Sequence, residues 1–179
     1  MKNLLFAFLI IFTFSCTKDS DSEMEPEQES EQQSTLNIVG TWESDYIFTV
    51  SQKSGANVLN STINSPDGSQ VVFMKDGTFN MNKFSIGDYG FDSFKAGTIK
   101  GTYTLIANKV TLTTDAGVEH SFTASISKVT ELEINLTKEL IKASLEASKT
   151  ALTDTEYQTK NSAISVYERY DQSGYFTKD

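Results

Sequence analysis

The feature that most constrains this chain is an alternation of apolar and polar residues with a period of two, broken repeatedly by tight-turn sequences. Ile99, Gly101, Tyr103 and Leu105 alternate with Thr98, Lys100, Thr102 and Thr104, and Leu132, Ile134 and Leu136 alternate with Glu131, Glu133 and Asn135. Phe79 and Met81, Val110 and Leu112, and Phe122, Ala124 and Ile126 repeat the pattern, while Trp42, Tyr46, Phe48 and Val50 share one parity. Successive side chains of a strand point to opposite faces, so this period describes strands with one wet and one buried face. The breaks carry turn chemistry: Ser65-Pro66-Asp67-Gly68, Lys75-Asp76-Gly77, Asn108-Lys109, Asp115-Ala116-Gly117 and Lys128-Val129-Thr130. Asn and Gly supply positive φ, and Pro presets the first turn position. Eight strands are expected, at 40–50, 57–65, 70–75, 78–84, 97–106, 109–114, 119–127 and 131–137. Short strands joined by tight turns form an antiparallel meander, and one this long hides its edges by closing on itself. The expected fold class is all-β, an eight-stranded antiparallel up-and-down barrel.

The period then changes. Leu140 or Ile141, Leu145, Ser148 and Leu152 recur near helical spacing within a segment rich in Leu, Lys, Glu and Ala, which predicts one amphipathic helix over 138–152 with Thr137 as its cap. After a polar stretch, Ala163, Ser165 and Tyr167 alternate with Ile164, Val166 and Glu168, a short closing strand ending near Tyr170.

The N-terminus has a different character. Lys2 precedes an unbroken apolar run from Leu4 to Phe12, then Thr13, Phe14, Ser15 and Cys16, the only cysteine. A charged start, a short apolar core and a small residue before the break make a secretory signal peptide over residues 1–15. The run is shorter than the roughly 20 residues that span a bilayer. From Thr17 to Gln33 the chain carries seven acids against Lys18 and no aromatic residue. Such a segment cannot bury enough apolar surface to offset the entropy of ordering, so 16–33 reads as an acidic tether. The remaining 34–179 is long enough for one sizeable core. Its charges are mixed and Arg169 is the sole arginine, so no basic stripe for nucleic acid is present.

Several segments resemble known families. Met1–Cys16 resembles the signal peptide of a bacterial lipoprotein, which implies cleavage before Cys16 and attachment of several acyl chains, palmitate among them, to that cysteine. The resemblance implies anchoring in the outer membrane, and Thr17-Lys18-Asp19-Ser20-Asp21-Ser22-Glu23 resembles the export signal of surface lipoproteins of Bacteroidota, which implies exposure at the cell surface. Gly40-Thr41-Trp42, following Leu36-Asn37-Ile38-Val39, resembles the first signature of the lipocalin-like superfamily. Val72-Phe73-Met74-Lys75-Asp76-Gly77-Thr78-Phe79 and Gly101-Thr102-Tyr103-Thr104-Leu105 resemble the lipocalin-like domains of Bacteroidota lipoproteins. The resemblance implies that Gly40 and Trp42 plug one barrel end, with a late basic residue over the indole: Arg169, or else Lys138.

Catalytic chemistry is not indicated. His120 is the only histidine, beside Glu119 and Ser121, and is expected at the surface or in a loop. One histidine without cysteine makes a poor metal site, and no third member of a hydrolytic triad is visible. No cofactor is implied, and the chain is expected not to be an enzyme. The aromatic, glycine-interrupted segment 84–96 places Phe84, Tyr89, Phe91 and Phe94 as a ligand entrance, or as a long hairpin folded onto the barrel edge. Two functions follow. The barrel binds a small hydrophobic molecule, or it is filled by side chains and serves as a structural or protein-interaction module on the envelope. If Phe48, Phe73, Phe79, Tyr103, Phe122 and Ile134 meet at the axis, the barrel is filled; if Thr side chains and Ala124 line the waist, a cavity survives.

Overall fold

The structure is a computed structural model that describes residues 36–83, 86–87, 90–91 and 97–179, the pairs 86–87 and 90–91 by backbone alone. These residues belong to the unit Ser34–Asp179. Its strands are β1 (Gly40–Lys53), β2 (Leu59–Asn64), β3 (Gln70–Phe73), β4 (Thr78–Asn82), β5 (Ile86–Gly87), β6 (Gly90–Phe91), β7 (Thr98–Ile106), β8 (Lys109–Thr114), β9 (Glu119–Lys128), β10 (Glu131–Thr137) and β11 (Tyr167–Lys178). Helices α1 (Lys138–Ala147) and α2 (Asp154–Ser165), separated by a 3-10 turn at Lys149–Ala151, lie between β10 and β11.

Hydrogen bonding runs β1–β3–β4–β7–β8–β9–β10–β11 and returns to β1, an antiparallel ring of eight. The expected barrel is therefore the fold, and its closed eight-stranded ring is the architecture of the lipocalin-like superfamily. Its membership differs in one respect. The second meander strand, β2, pairs only with β1 and stands outside the ring, whose eighth member is the closing strand β11. β5 and β6 pair with each other.

Turn and packing details follow from local chemistry. At Lys75-Asp76-Gly77 the Asp76 carboxylate accepts from the Thr78 amide at 3.0 Å and from its hydroxyl at 2.6 Å, which fixes the β3–β4 turn. Those bonds to the charged form hold the Asp76 carboxyl below its usual range. Gly101 permits a close approach in the wall, because a Cβ there would lie 2.0 Å from the Thr113 carbonyl oxygen and 2.9 Å from the Phe79 ring.

One irregularity changes which face of β1 is buried. The register against β11 shifts between Ser44 and Tyr46, leaving Asp45 as an extra residue. A one-residue bulge exchanges the faces beyond it. Trp42 and Ser44 point inward before the bulge, and Ile47 does so after it. Tyr46, expected to share the buried face of Trp42, is instead outside, where its ring stacks on Tyr175 with centroids 4.5 Å apart. Phe48 follows Tyr46 and stays out of the core.

The helical region also departs from the single helix expected. α1 begins as predicted, with the Thr137 hydroxyl accepting from the Leu140 amide at 3.3 Å. α2 then occupies the stretch read as polar linker and as the start of the closing strand. Its N-terminus carries a reciprocal capping box, Thr153 with Glu156. α1 also closes an edge. β8 pairs with β9 over Glu119–Thr123, but β10 reaches only as far as Thr123, so the other side of Glu119–Ser121 lacks a strand partner. Ser144 on α1 and Ser148, the C-cap that follows it by one turn, fill that role: their hydroxyls accept from the amides of Ser121 at 2.7 Å and Glu119 at 2.8 Å. Leaving such a buried amide unbonded would cost about 1–3 kcal/mol.

Candidate functional site

The start of β1 carries a deeply buried aromatic. Trp42 is fully buried, and its indole N–H donates to the Ile38 carbonyl at 2.7 Å, tying the lead-in segment beneath the ring. The cation over the indole is Lys178, with Nζ 5.3 Å from the ring centroid. Trp42 and Lys178 face each other in the β1–β11 register. Gly40 makes room for this arrangement. Its φ is +146°, and a Cβ there would come within 3.0 Å of Lys178 Cε.

Neither basic residue expected over Trp42 is there. Arg169 is opposite Gln52 and forms an exposed ion pair with Asp171 at 2.6 Å. It lies nine positions from Lys178 along β11, about 30 Å at the usual rise of an extended strand. Because β1 and β11 are antiparallel, the start of β1 meets the end of β11, not its beginning. Lys138 is committed elsewhere, donating from Nζ to the Tyr167 carbonyl.

Above the tryptophan the interior is occupied by side chains. Phe73, Phe79, Met81, Leu112, Phe122, Leu132, Ile134 and Phe176 form one core with Trp42. Tyr103 packs against it at 5.1 Å from Phe73, edge to face, and donates from its hydroxyl to the Met74 carbonyl. Of the six residues whose meeting would fill the axis, Phe48 is displaced by the bulge and the other five converge.

The opposite end of β1 is different. β3 covers Gly40–Glu43, and β2 covers Tyr46–Ser51. β3 and β4 pair only as far as Gln70 and Asn82, and among the described residues no strand pairs with the outer edge of β2. Directly paired residues share a face of a sheet. Ile63 is paired with the buried Ile47, Ser61 with Thr49 and Leu59 with Ser51, so Leu59 and Ile63 belong to the inner face. They are nevertheless 67% and 53% exposed. The polar group at this rim is Gln172, buried, whose amide donates to the Thr49 hydroxyl at 2.9 Å. Where β1 and β11 run beyond the ring, Lys53, Ala163, Val166, Tyr167 and Tyr170 line a groove of about 360 Å³. Tyr167 and Tyr170 rings lie 5.0 Å apart there, and Lys53 Nζ is 5.6 Å above Tyr167.

Among the expected entrance residues, Phe84, Tyr89 and Phe94 lie outside the described residues, and Phe91 is described only as backbone, in β6, which lies beside β11. Cys16 and the whole of 1–33 also lie outside them.

His120 is not on the surface. It is buried under α1, beside a void of about 10 Å³ lined also by Leu136, Ile141, Ser144 and Ser148. Burial penalises its charged form and pushes its pKa down to about 4. Its even parity with Phe122 and Ala124 was the available signal for an inward position. Among the described residues no group of three His, Cys, Asp or Glu side chains could hold a metal ion, and no helix is long and apolar enough to cross a membrane. No family model, curated protein or solved structure matches the chain.

Proposed function

We propose that this chain is an envelope-anchored, lipocalin-like lipoprotein of the Bacteroidota type that binds a small hydrophobic molecule at the β2 rim of its barrel. The observation that carries the binding reading is the uncovered inner face: Leu59 and Ile63 continue the apolar lining begun by Ile47, yet remain exposed. An apolar surface with a few fixed polar groups is the usual make-up of a small-molecule site, and Gln172 with Thr49 supplies such a group here. The neighbouring tyrosine-lined groove falls within the usual pocket size of about 300–1,000 Å³. In this reading Phe84, Tyr89, Phe91 and Phe94 are the entrance residues. The filled core confines the ligand to this upper level. The same filling supports the second reading, in which the barrel binds nothing inside and acts as a non-enzymatic structural or protein-interaction module.

In this reading residues 1–15 are removed, Cys16 carries the lipid, and 16–33 is the tether that holds the barrel off the outer membrane. The acidic leash and the acidic balance of the rest of the chain would be repelled by anionic lipid, so the covalent anchor holds the protein there. Native mass spectrometry of the purified protein, with organic extraction, distinguishes the two readings. A reproducible bound apolar molecule, lost in Leu59→Asp/Ile63→Asp, is expected. Failure to retain or bind any member of a broad apolar panel would leave the filled-barrel module. A Cys16→Ser chain that still fractionates with the outer membrane would remove the anchor.

A further inference from the structure

We propose that two copies of this chain pair through their β2 strands, edge to edge and antiparallel about Ser61. Ring closure gives every other strand of this sheet a partner on both sides for part of its length, and Ser144 and Ser148 bond the amides of Ser121 and Glu119 on β9. β2 is the strand whose whole outer edge has no partner among the described residues, and β5 and β6 pair only with each other. An open edge is a template for another strand, and natural sheets guard such edges with charge, proline or a bulge. This edge has none of these guards. From Ser54 to Ser65 the sequence has no charged residue and no proline, in a chain of net charge −9. Two acidic copies repel each other over most of their surfaces, and β2 offers a surface where approach brings no like charges together.

The strand is also complementary to itself. Antiparallel pairing centred on Ser61 sets Leu59 of one copy opposite Ile63 of the other, and the two-fold axis repeats that pair. Asn60 then faces Thr62, and Ser61 faces its own counterpart. Leu59 and Ile63, 67% and 53% exposed, each gain a cross-strand apolar neighbour. A second copy is therefore the occupant this edge fits. Six residues make a small interface compared with the roughly 1,200–2,000 Å² of stable complexes, so the pairing is reversible and is best detected by trapping it. The backbone bonds use the edge of β2, while the apolar pairs draw on Leu59 and Ile63, the same inner-face residues as the proposed rim site.

Directly opposed residues have Cα atoms about 4.5–5.5 Å apart, within the range of about 4.4–6.8 Å that a disulfide spans. The test is Ser61→Cys in the full chain under mild oxidation. Wild type sets the background from Cys16, and Lys149→Cys, on the exposed 3-10 turn, sets the rate of random collision. Ser61→Cys is expected to give a covalent dimer about tenfold faster than either reference. Adding Ile63→Lys should return it to background, because charge blocks edge pairing. A rate no higher than that of Lys149→Cys, or one insensitive to Ile63→Lys, overturns the proposal. A cross-linked species whose mass is not twice that of the chain also overturns it, in favour of a strand from another protein.

Discussion

At the start of β1, Trp42 is completely buried, with its N–H bonded and a lysine laid over its ring. Toward the other end of the same strand, Ser51 is paired with a leucine, Leu59, that is 67% exposed. Both Trp42 and Leu59 lie on the inner face of the sheet. Burial therefore does not follow from facing inward, but from whether the next strand is present. At the Trp42 end β3 and β11 flank β1 and continue into a closed ring. At the rim β2 flanks it and the sheet stops. The Trp42 end belongs to the packed core, and the rim supplies apolar surface that packing has left over.

Truncation at each end breaks this contrast most directly. Trp42→Ala removes a large, fully packed side chain and should cost about 3–5 kcal/mol. Leu59→Ala removes one already in contact with water and should stay within about 0.5 kcal/mol. Denaturant midpoints measure both. Equal losses would mean that the rim is packed as firmly as the plug.

The second prediction concerns the place where the barrel seals a half-paired strand with a helix instead of a neighbour. His120 lies under that helix with its pKa lowered from 6.5 to about 4. The unfolded chain holds the extra proton between those values, so stability is full above pH 6.5 and is lost as pH falls toward 4. The loss attributable to this group is up to about 3 kcal/mol. The difference in unfolding free energy between wild type and His120→Leu, measured from pH 7 to pH 4, should shrink by that amount in favour of the variant. A constant difference would mean that the imidazole is hydrated when folded.

The Trp42 end was more legible in the sequence than the rim. β7, β8 and β10 appear within a residue of their expected limits, because clean alternation between turns leaves little freedom in register. Gly40 and Trp42 were singled out by their resemblance to the lipocalin-like signature, not by periodicity. The partner of Trp42 was not local. β11 is inward-facing at Gln172 and Gly174, neither apolar, so the alternation disappears in its middle and the expected strand ends near Tyr170. That hides Lys178 and makes Arg169 the available cation. α2 buries only Ile164 and has no apolar stripe; its capping box was the one signal of a helix. The bulge at Asp45 left no composition signature, so Tyr46 and Phe48 were assigned to the wrong face. Whether β2 joined the ring depended on which strand lay beyond it, and no pattern within β2 carries that information.

The smallest effect separates the two ends of β11. Lys178 and Arg169 are both cations on this strand, one over the plug and one near the rim. An exposed cation over an aromatic face contributes about 0.5–1 kcal/mol, and the Lys178 stem also covers Gly40. The Arg169–Asp171 pair is solvent-exposed, and such pairs contribute between nothing and about 1 kcal/mol, often with no measurable effect. Stability alone would separate these variants poorly, but Trp42 is the only tryptophan and reports on its own surroundings. Lys178→Ala should shift the emission of the folded protein and lower its stability by less than about 1 kcal/mol. Arg169→Ala should leave the emission unchanged. If the arginine variant moves the spectrum and the lysine variant does not, the cation over the indole is Arg169, and the register of β11 against β1 would have to be redrawn.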